Sequence, residues 1–150
     1  LIAAGGIATG EQMLAALALG AEGVQTGTRF ALTKESSAHE NFKNLCLSLE
    51  EGDTKLLLKK LSPTRLAKSA FKTAVEEAEA AGATTEQLTA LLGKGRAKKG
   101  IFEGDLNEGL IEIGQAAALL KRQETVEEVM SDLITSYREA VSKVGNFEIY

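Results

Sequence analysis

The sequence predicts an α/β fold with a parallel sheet near its N-terminus. An apolar run, Leu1–Ala4, leads directly into Gly5-Gly6, and a second short stretch over residues 23–26 leads into Gly27-Thr28. A helix with a clear start signal lies between the two stretches. The order strand, loop, helix, strand, loop is that of a βαβ unit, whose two strands are parallel.

Each element of this unit has its own sequence signal. Leu1–Ala4 is uniformly apolar, as expected of a buried parallel strand, and we expect the chain to begin inside a fold because no turn precedes it. Thr9, followed three positions later by Gln12, predicts a capping box for a helix over residues 11–19. Gly20 supplies the end of that helix.

Helical patterns dominate the rest of the chain. They predict helices over residues 41–51, 64–81 and 84–92, then a charged glycine-rich loop over 93–109 and a further helix over 108–120. Thr125 and Glu128 cap the last helix. Its apolar residues keep a helical period and predict packing against a substantial surface: Val126, Val129, Met130, Leu133, Ile134, Tyr137, Val141 and Val144.

Composition excludes several classes of function. The 17 basic and 21 acidic residues give a net charge of -4, which argues against nucleic acid as a partner. No apolar run approaches the roughly 20 residues that cross a bilayer, and no basic segment precedes an apolar one at the N-terminus. We therefore expect no membrane contact and a cytoplasmic location.

Two glycine loops carry the first chemical signal. A Gly-Gly pair at the carboxyl end of a strand lets backbone approach a ligand, and the helix that follows offers unpaired N–H groups to an anion. Two such loops in one βαβ unit meet at the same sheet edge, and in β/α barrels the last two strand-end loops frequently bind phosphate. The alternative is that the glycines serve only tight turns and close packing. Neither the dinucleotide pattern nor the nucleotide P-loop is matched.

At these residues the sequence resembles a known family. Four segments and one residue pair are similar to the C-terminal half of nitronate monooxygenases: Leu1-Ile-Ala-Ala-Gly-Gly-Ile-Ala-Thr-Gly10, Ala18-Leu-Gly-Ala-Glu-Gly-Val-Gln-Thr-Gly-Thr-Arg-Phe30, Lys34-Glu-Ser-Ser-Ala-His39, Gly104-Asp-Leu-Asn-Glu-Gly109 and Gly114-Gln115. The family, formerly called 2-nitropropane dioxygenases, includes the enoyl-ACP reductase II enzymes. The resemblance implies the C-terminal part of a (β/α)8 TIM barrel that binds FMN, followed by a mainly helical second domain.

The resemblance also implies a division of the chain into three segments. Residues 1–34 would hold the last strands and phosphate loops of the barrel, 35–103 a small helical domain, and 104–150 helices that return to the barrel. It implies that five residues surround the flavin phosphate and ribityl chain: Gly5, Gly6, Gln25, Gly27 and Thr28. By the same resemblance, the strands that carry the family's catalytic histidine would precede Leu1, so we assign no catalytic residue to this chain. We assign no metal ligand either, because the sequence lacks the partners that a three-ligand site would need.

Three activities remain open at this point. The first is FMN-dependent oxidation of alkyl nitronates by dioxygen, a small-molecule reaction to which this chain would contribute the phosphate site. The second is enoyl-ACP reduction with FMN and NAD(P)H, for which an acyl carrier protein would be a partner. The third is a non-catalytic fragment that needs the missing N-terminal half. A homodimer is compatible with each of them.

The remaining reactive side chains have simpler interpretations. His39 is the single histidine, and we expect it to be exposed or to cap a helix. Cys46 shares a helical face with Phe42, Leu45 and Leu49, which predicts a buried thiol. Basic residues cluster once in the chain, and the cluster predicts either a solvated loop or a surface that attracts an anionic substrate or acidic carrier protein: Lys94, Arg96, Lys98 and Lys99.

Overall fold

The computed structural model describes residues 1–146. In chain order its elements are β1 (Ile2–Ala4), α1 (Gly10–Ala18), β2 (Gly23–Gln25), α2 (Thr28–Ala31), α3 (Glu40–Leu47), β3 (Thr54–Leu57), β4 (Thr64–Ala67), α4 (Ala70–Ala80), α5 (Thr85–Leu92), α6 (Arg96–Ile101), a 3-10 helix (Gln115–Leu119) and α7 (Val126–Gly145). The predicted α/β class is confirmed at this level of description.

The chain divides into two compact units. The first unit comprises Leu1–Ser36 together with the described residues from Gln123 onward, and the second comprises Ser37–Arg122. The predicted assignment of 1–34 and 104–150 to a barrel and of 35–103 to a helical domain stays a prediction. Residues 147–150 of the predicted segment 104–150 lie outside the described part of the chain.

The first unit is built on the predicted βαβ arrangement. Strands β1 and β2 pair in parallel, with Ile2 opposite Gly23 and Ala4 opposite Gln25. The Thr9 hydroxyl accepts a hydrogen bond from the Gln12 N–H, and the Gln12 side chain accepts from the Thr9 N–H, which is the predicted capping box. Because the capping box depends on a partner three residues away, the sequence alone predicts it.

Helix α7 completes the first unit. Its N-terminus has the predicted capping box between Thr125 and Glu128, and the helix packs along α1. Val129 and Leu133 are buried, so part of the predicted apolar stripe forms the contact surface of α7. The rest of the stripe is less buried than predicted, and these side chains are more than a third exposed: Val126, Met130, Ile134, Val141 and Val144.

The second unit contains a two-stranded sheet that the sequence did not predict. Strands β3 and β4 are antiparallel, and Leu66 and Ala67 of β4 are buried. The predicted helix over 64–81 is therefore wrong in its first part, and α4 begins only at Ala70, capped by the Ser69 hydroxyl. Backbone pairing with β3 overrides the weak helical pattern of residues 64–67. The core contains Leu57, Leu58, Leu66, Phe71, Val75 and Leu110.

Three further boundaries differ from the prediction. Helix α3 ends at Leu47, four residues before the predicted end at 51. The predicted loop over 93–109 contains α6. The predicted helix over 108–120 is wrong because Ala67 N–H donates to the Ile111 carbonyl and Ile113 N–H donates to the Arg65 carbonyl. These bonds hold the segment extended beside β4 and leave only the short 3-10 helix after it.

Candidate functional site

The two glycine loops lie at one edge of the parallel strand pair. The first loop follows Ala4, the last residue of β1, and the second follows Gln25, the last residue of β2. Since Ala4 and Gln25 are register partners on parallel strands, both loops leave the sheet at the same end. The structure thus brings together the carboxyl ends of β1 and β2, from which all five predicted cofactor residues extend.

The backbone of the first loop requires glycine. Gly5 has a φ of +92° and Gly6 a φ of +74°, a region that other L-residues adopt at a cost. The space next to Gly5 is open, since a Cβ built there has no neighbour within 4 Å among the described residues. The loop therefore exposes peptide backbone without a side chain in front of it.

The second loop is open in the same way. Gly27 has ordinary backbone angles, and a Cβ at this position likewise meets no described atom within 4 Å. Gly27 and Gln25 are exposed, whereas Thr28, which starts α2, is half-buried. Two neighbouring stretches of backbone thus have no side chain in front of them, which is the condition that close approach of an anionic group such as a phosphate requires.

A buried arginine, Arg29, lies two residues after Gly27 of the second glycine loop. Arg29 is 6% exposed. Its Nη1 donates to the carbonyl of Ala8 at 2.8 Å, and its Nη2 lies 3.1 Å from the Glu124 carboxylate and 2.7 Å from that of Asp132. No short-range sequence pattern predicts these partners, because both carboxylates come from the C-terminal part of the chain.

Helix α7 holds the start of α1 as well. The N–H of Gly10 donates to the Ser136 hydroxyl at 3.0 Å, and that hydroxyl donates to the Asp132 carbonyl one turn earlier. Asp132 also carries the carboxylate that binds Arg29. One turn of α7 is therefore connected to the segments that follow both glycine loops.

His39 caps a helix, as the sequence predicts. Its Nδ1 accepts a hydrogen bond from the Asn41 N–H at 3.1 Å, at the first turn of α3, and the residue is exposed. Its ring packs against Gly104, where an added Cβ would overlap the imidazole. The histidine thus contacts both the start of α3 and the backbone at Gly104, which belong to the second unit.

Cys46 is a buried thiol, again as predicted. It is fully inaccessible to solvent, and burial raises its pKa to about 12. A thiol with so high a pKa carries almost no thiolate at neutral pH. At neutral pH Cys46 is therefore held as the protonated thiol, which is the weakly nucleophilic form.

Three residues of the basic cluster, Arg96, Lys98 and Lys99, lie in helix α6, and Lys94 lies in the short non-helical segment before it. Arg96 is directed into the protein: its Nε donates to the carbonyls of Leu91 and Leu92, and its Nη1 donates to Glu108. Its guanidinium also lies 4.5 Å from the ring centre of Phe71. Lys94, Lys98 and Lys99 are exposed, so attraction of an anionic partner to them stays a prediction.

Two kinds of structural feature are absent from residues 1–146. No group of three or more His, Cys, Asp or Glu side chains in this range is arranged to hold a metal ion. Nor does this part of the chain contain a helix that combines the length and hydropathy needed to cross a membrane.

Comparison with protein families gives a match over most of the chain. The profile of the family described as nitronate monooxygenase matches residues 1–136. A Staphylococcus aureus (strain JH9) protein named "Probable nitronate monooxygenase" is 46% identical over 54 residues, which are 36% of this chain and 15% of that protein.

Two solved structures are similar over nearly the whole chain. FabK from Thermotoga maritima is 34% identical with a TM-score of 0.88, and the match covers 98% of this chain and 47% of FabK. A nitroalkane oxidase from Streptomyces ansochromogenes is 29% identical with a TM-score of 0.71, covering 95% of this chain and 40% of the oxidase. The chain thus spans less than half the length of either solved protein.

Proposed function

The chain belongs to the nitronate monooxygenase family, and on this premise we propose that it supplies the phosphate site of an FMN-dependent oxidoreductase. The observation that carries the proposal is the pair of open glycine loops at one end of parallel strands β1 and β2. In the proposed whole protein these strands are the last two of a (β/α)8 barrel, whose strand-end loops are frequent phosphate sites.

The proposed contacts follow from the shape of each loop. The positive φ values of Gly5 and Gly6 turn their peptide groups in a direction that a non-glycine loop would not present. Gly27 leaves room for a phosphate oxygen close to the backbone, and Thr28 and Gln25 add side-chain polar groups beside it. Backbone donors bind an anion with little loss of side-chain entropy.

The proposed activity is the oxidation of alkyl nitronates with dioxygen. Bound FMN would supply the electron transfer between the substrate carbon and the oxidant, which amino-acid side chains cannot perform. The family profile and the name of the S. aureus relative support a nitronate as the small-molecule substrate. This chain would fix the phosphate end of the cofactor, and thereby the position of its distant ring.

A second candidate is enoyl-ACP reduction with NAD(P)H and FMN. It is favoured by one observation: FabK, an enoyl-ACP reductase II, superposes with a TM-score of 0.88, against 0.71 for the nitroalkane oxidase. Under this alternative an acyl carrier protein would be a partner. The phosphate loops serve both activities equally well, since neither substrate needs to contact them.

Two assays of the whole FMN-containing protein separate the candidates. Alkyl nitronate is supplied with dioxygen while oxygen uptake is followed, and an enoyl thioester is supplied with NAD(P)H while its oxidation is followed. We expect nitronate-dependent oxygen uptake without enoyl-thioester turnover. The reverse result selects the reductase, and a protein that carries no flavin after purification and gains none from added FMN excludes both.

A further inference from the structure

Arg29 joins the segments that follow the two glycine loops. It comes two residues after Gly27, and it donates to Ala8, which comes three residues after Gly5. The same guanidinium reaches Glu124 and Asp132, so a single planar group connects both segments to the C-terminal part of the first unit. The planar fork of arginine suits several partners held at fixed angles, which a lysine ammonium cannot serve in the same way.

The guanidinium is not placed to bind a ligand directly. Its two terminal nitrogens are engaged with Ala8 and the carboxylates, and Nε is closed to solvent without a hydrogen-bond partner among residues 1–146. The charges also argue against direct anion binding by Arg29. One guanidinium faces two carboxylates, so the group formed by Arg29, Glu124 and Asp132 has no net positive charge to attract an anion. Any effect of Arg29 on a phosphate must therefore act through the backbone it holds.

We propose that Arg29 is a positioning residue that sets the spacing of the two glycine loops and so their affinity for the flavin phosphate. This proposal rests on the function proposed above. Asp132 holds the arginine, and Ser136, one turn further along α7, holds Gly10 at the start of α1. Helix α7 thereby holds both loops in place, although its first residue, Val126, lies almost a hundred residues after Gly27 in sequence.

The test compares Arg29→Lys with Val129→Ala in the whole protein. Lysine keeps the positive charge, but its single ammonium group cannot bind the Ala8 carbonyl and both carboxylates at the same time. Val129 is buried on α7 one turn before Asp132, so its truncation destabilises the same unit through a cavity while every group that bonds to Arg29 is kept. We expect Arg29→Lys to raise the Kd for FMN about tenfold, as loss of one charge-assisted hydrogen bond would, and Val129→Ala to leave it within about twofold.

A second measurement does not depend on FMN. Without the cofactor, Arg29→Lys should speed amide hydrogen exchange in residues 5–9 and 27–30, while exchange in α5 of the second unit stays at the wild-type rate. Loop exchange and FMN affinity that both match Val129→Ala would overturn the positioning role and leave Arg29 as a stabilising ion pair. If the wild type itself binds no FMN, the proposed function fails, and loop exchange alone then decides the role of Arg29.

Discussion

Gly10 and Ser136 meet at the point where helices α1 and α7 touch. The N–H of Gly10 donates to the Ser136 hydroxyl at 3.0 Å, and Gly10 is buried against the backbone of α7. A Cβ built on Gly10 would overlap both the Ser136 hydroxyl and the backbone nitrogen of Tyr137. Because backbone cannot rotate away as a flexible side chain can, only glycine fits at the first position of α1.

The first prediction concerns this contact. Gly10→Ala should lower the free energy of unfolding by about 1–3 kcal/mol, the usual cost of overpacking, in spite of alanine's better helix propensity. The measurement is chemical denaturation followed by circular dichroism. Gly145→Ala is the matched control, because Gly145 lies in α7 with open space where its Cβ would be. Equal stability of the two variants would show that α1 and α7 do not pack this closely.

The second prediction tests the second glycine loop. Gly27→Val should raise the Kd for FMN at least tenfold, about 1.4 kcal/mol, because its side chain would fill the space in front of the loop backbone. The fold should be unaffected, since Gly27 has ordinary backbone angles and no close neighbour. Flavin fluorescence titration gives the Kd, and thermal unfolding without FMN checks the fold.

Gly23→Val is the control for this variant. Gly23 also has open space beside it, but it lies at the start of β2, away from the strand end where the loop begins. We expect the control to bind FMN with wild-type affinity. If Gly27→Val binds FMN as tightly as Gly23→Val, the loop does not contact the cofactor phosphate.

Local signals explain what the sequence could predict. The capping boxes at Thr9, Thr84 and Thr125 are all present, because each depends on a partner three residues away. The parallel pairing of β1 and β2 was predictable because a short helical connection between two strands leaves few other arrangements. The glycine loops follow from the same local order.

Long-range contacts explain what it could not predict. Residues 64–67 form a strand because β3 pairs with them, and residues 110–113 stay extended because β4 bonds to them. Arg29 was missed as a central residue of the site for the same reason, since its Glu124 partner is 95 positions away. Propensity is a weak guide wherever such tertiary partners decide the backbone.

The third prediction concerns the pH dependence that Cys46 contributes. Burial raises its pKa in the folded chain to about 12, whereas an unfolded thiol ionises near about 8.5. Above about pH 8.5 the unfolded thiol ionises, which lowers the free energy of the unfolded state, whereas the native thiol stays protonated. The stability that the buried thiol contributes is therefore complete at low pH and is lost as the pH rises from the unfolded pKa to the folded pKa.

Cys46→Ala isolates the effect. The stability difference between wild type and this variant should shrink from about pH 8 to pH 10, as denaturation at each pH would measure, because the other titrating groups are common to both. Iodoacetamide should label the native wild type far more slowly than the urea-unfolded chain. A native thiol that is labelled at the unfolded rate would show that Cys46 is accessible and ionises normally.

The last prediction separates two roles for the basic cluster. If Arg96 is mainly structural, Arg96→Lys should lower the free energy of unfolding by about 1–3 kcal/mol, because lysine cannot replace the hydrogen bonds to Leu91, Leu92 and Glu108 or the stacking on Phe71. Lys99→Ala, an exposed change in the same helix, should alter it by less than about 0.5 kcal/mol.

The same pair of variants tests the attraction of anionic partners. Arg96→Lys preserves the charge of the cluster and Lys99→Ala reduces it, so an electrostatic role predicts a slower association rate only for Lys99→Ala, most marked at low salt. Stopped-flow mixing with an acidic acyl carrier protein would measure that rate. If only Arg96→Lys loses stability and both variants associate at the wild-type rate, the cluster stabilises the start of α6 and has no role in recognition.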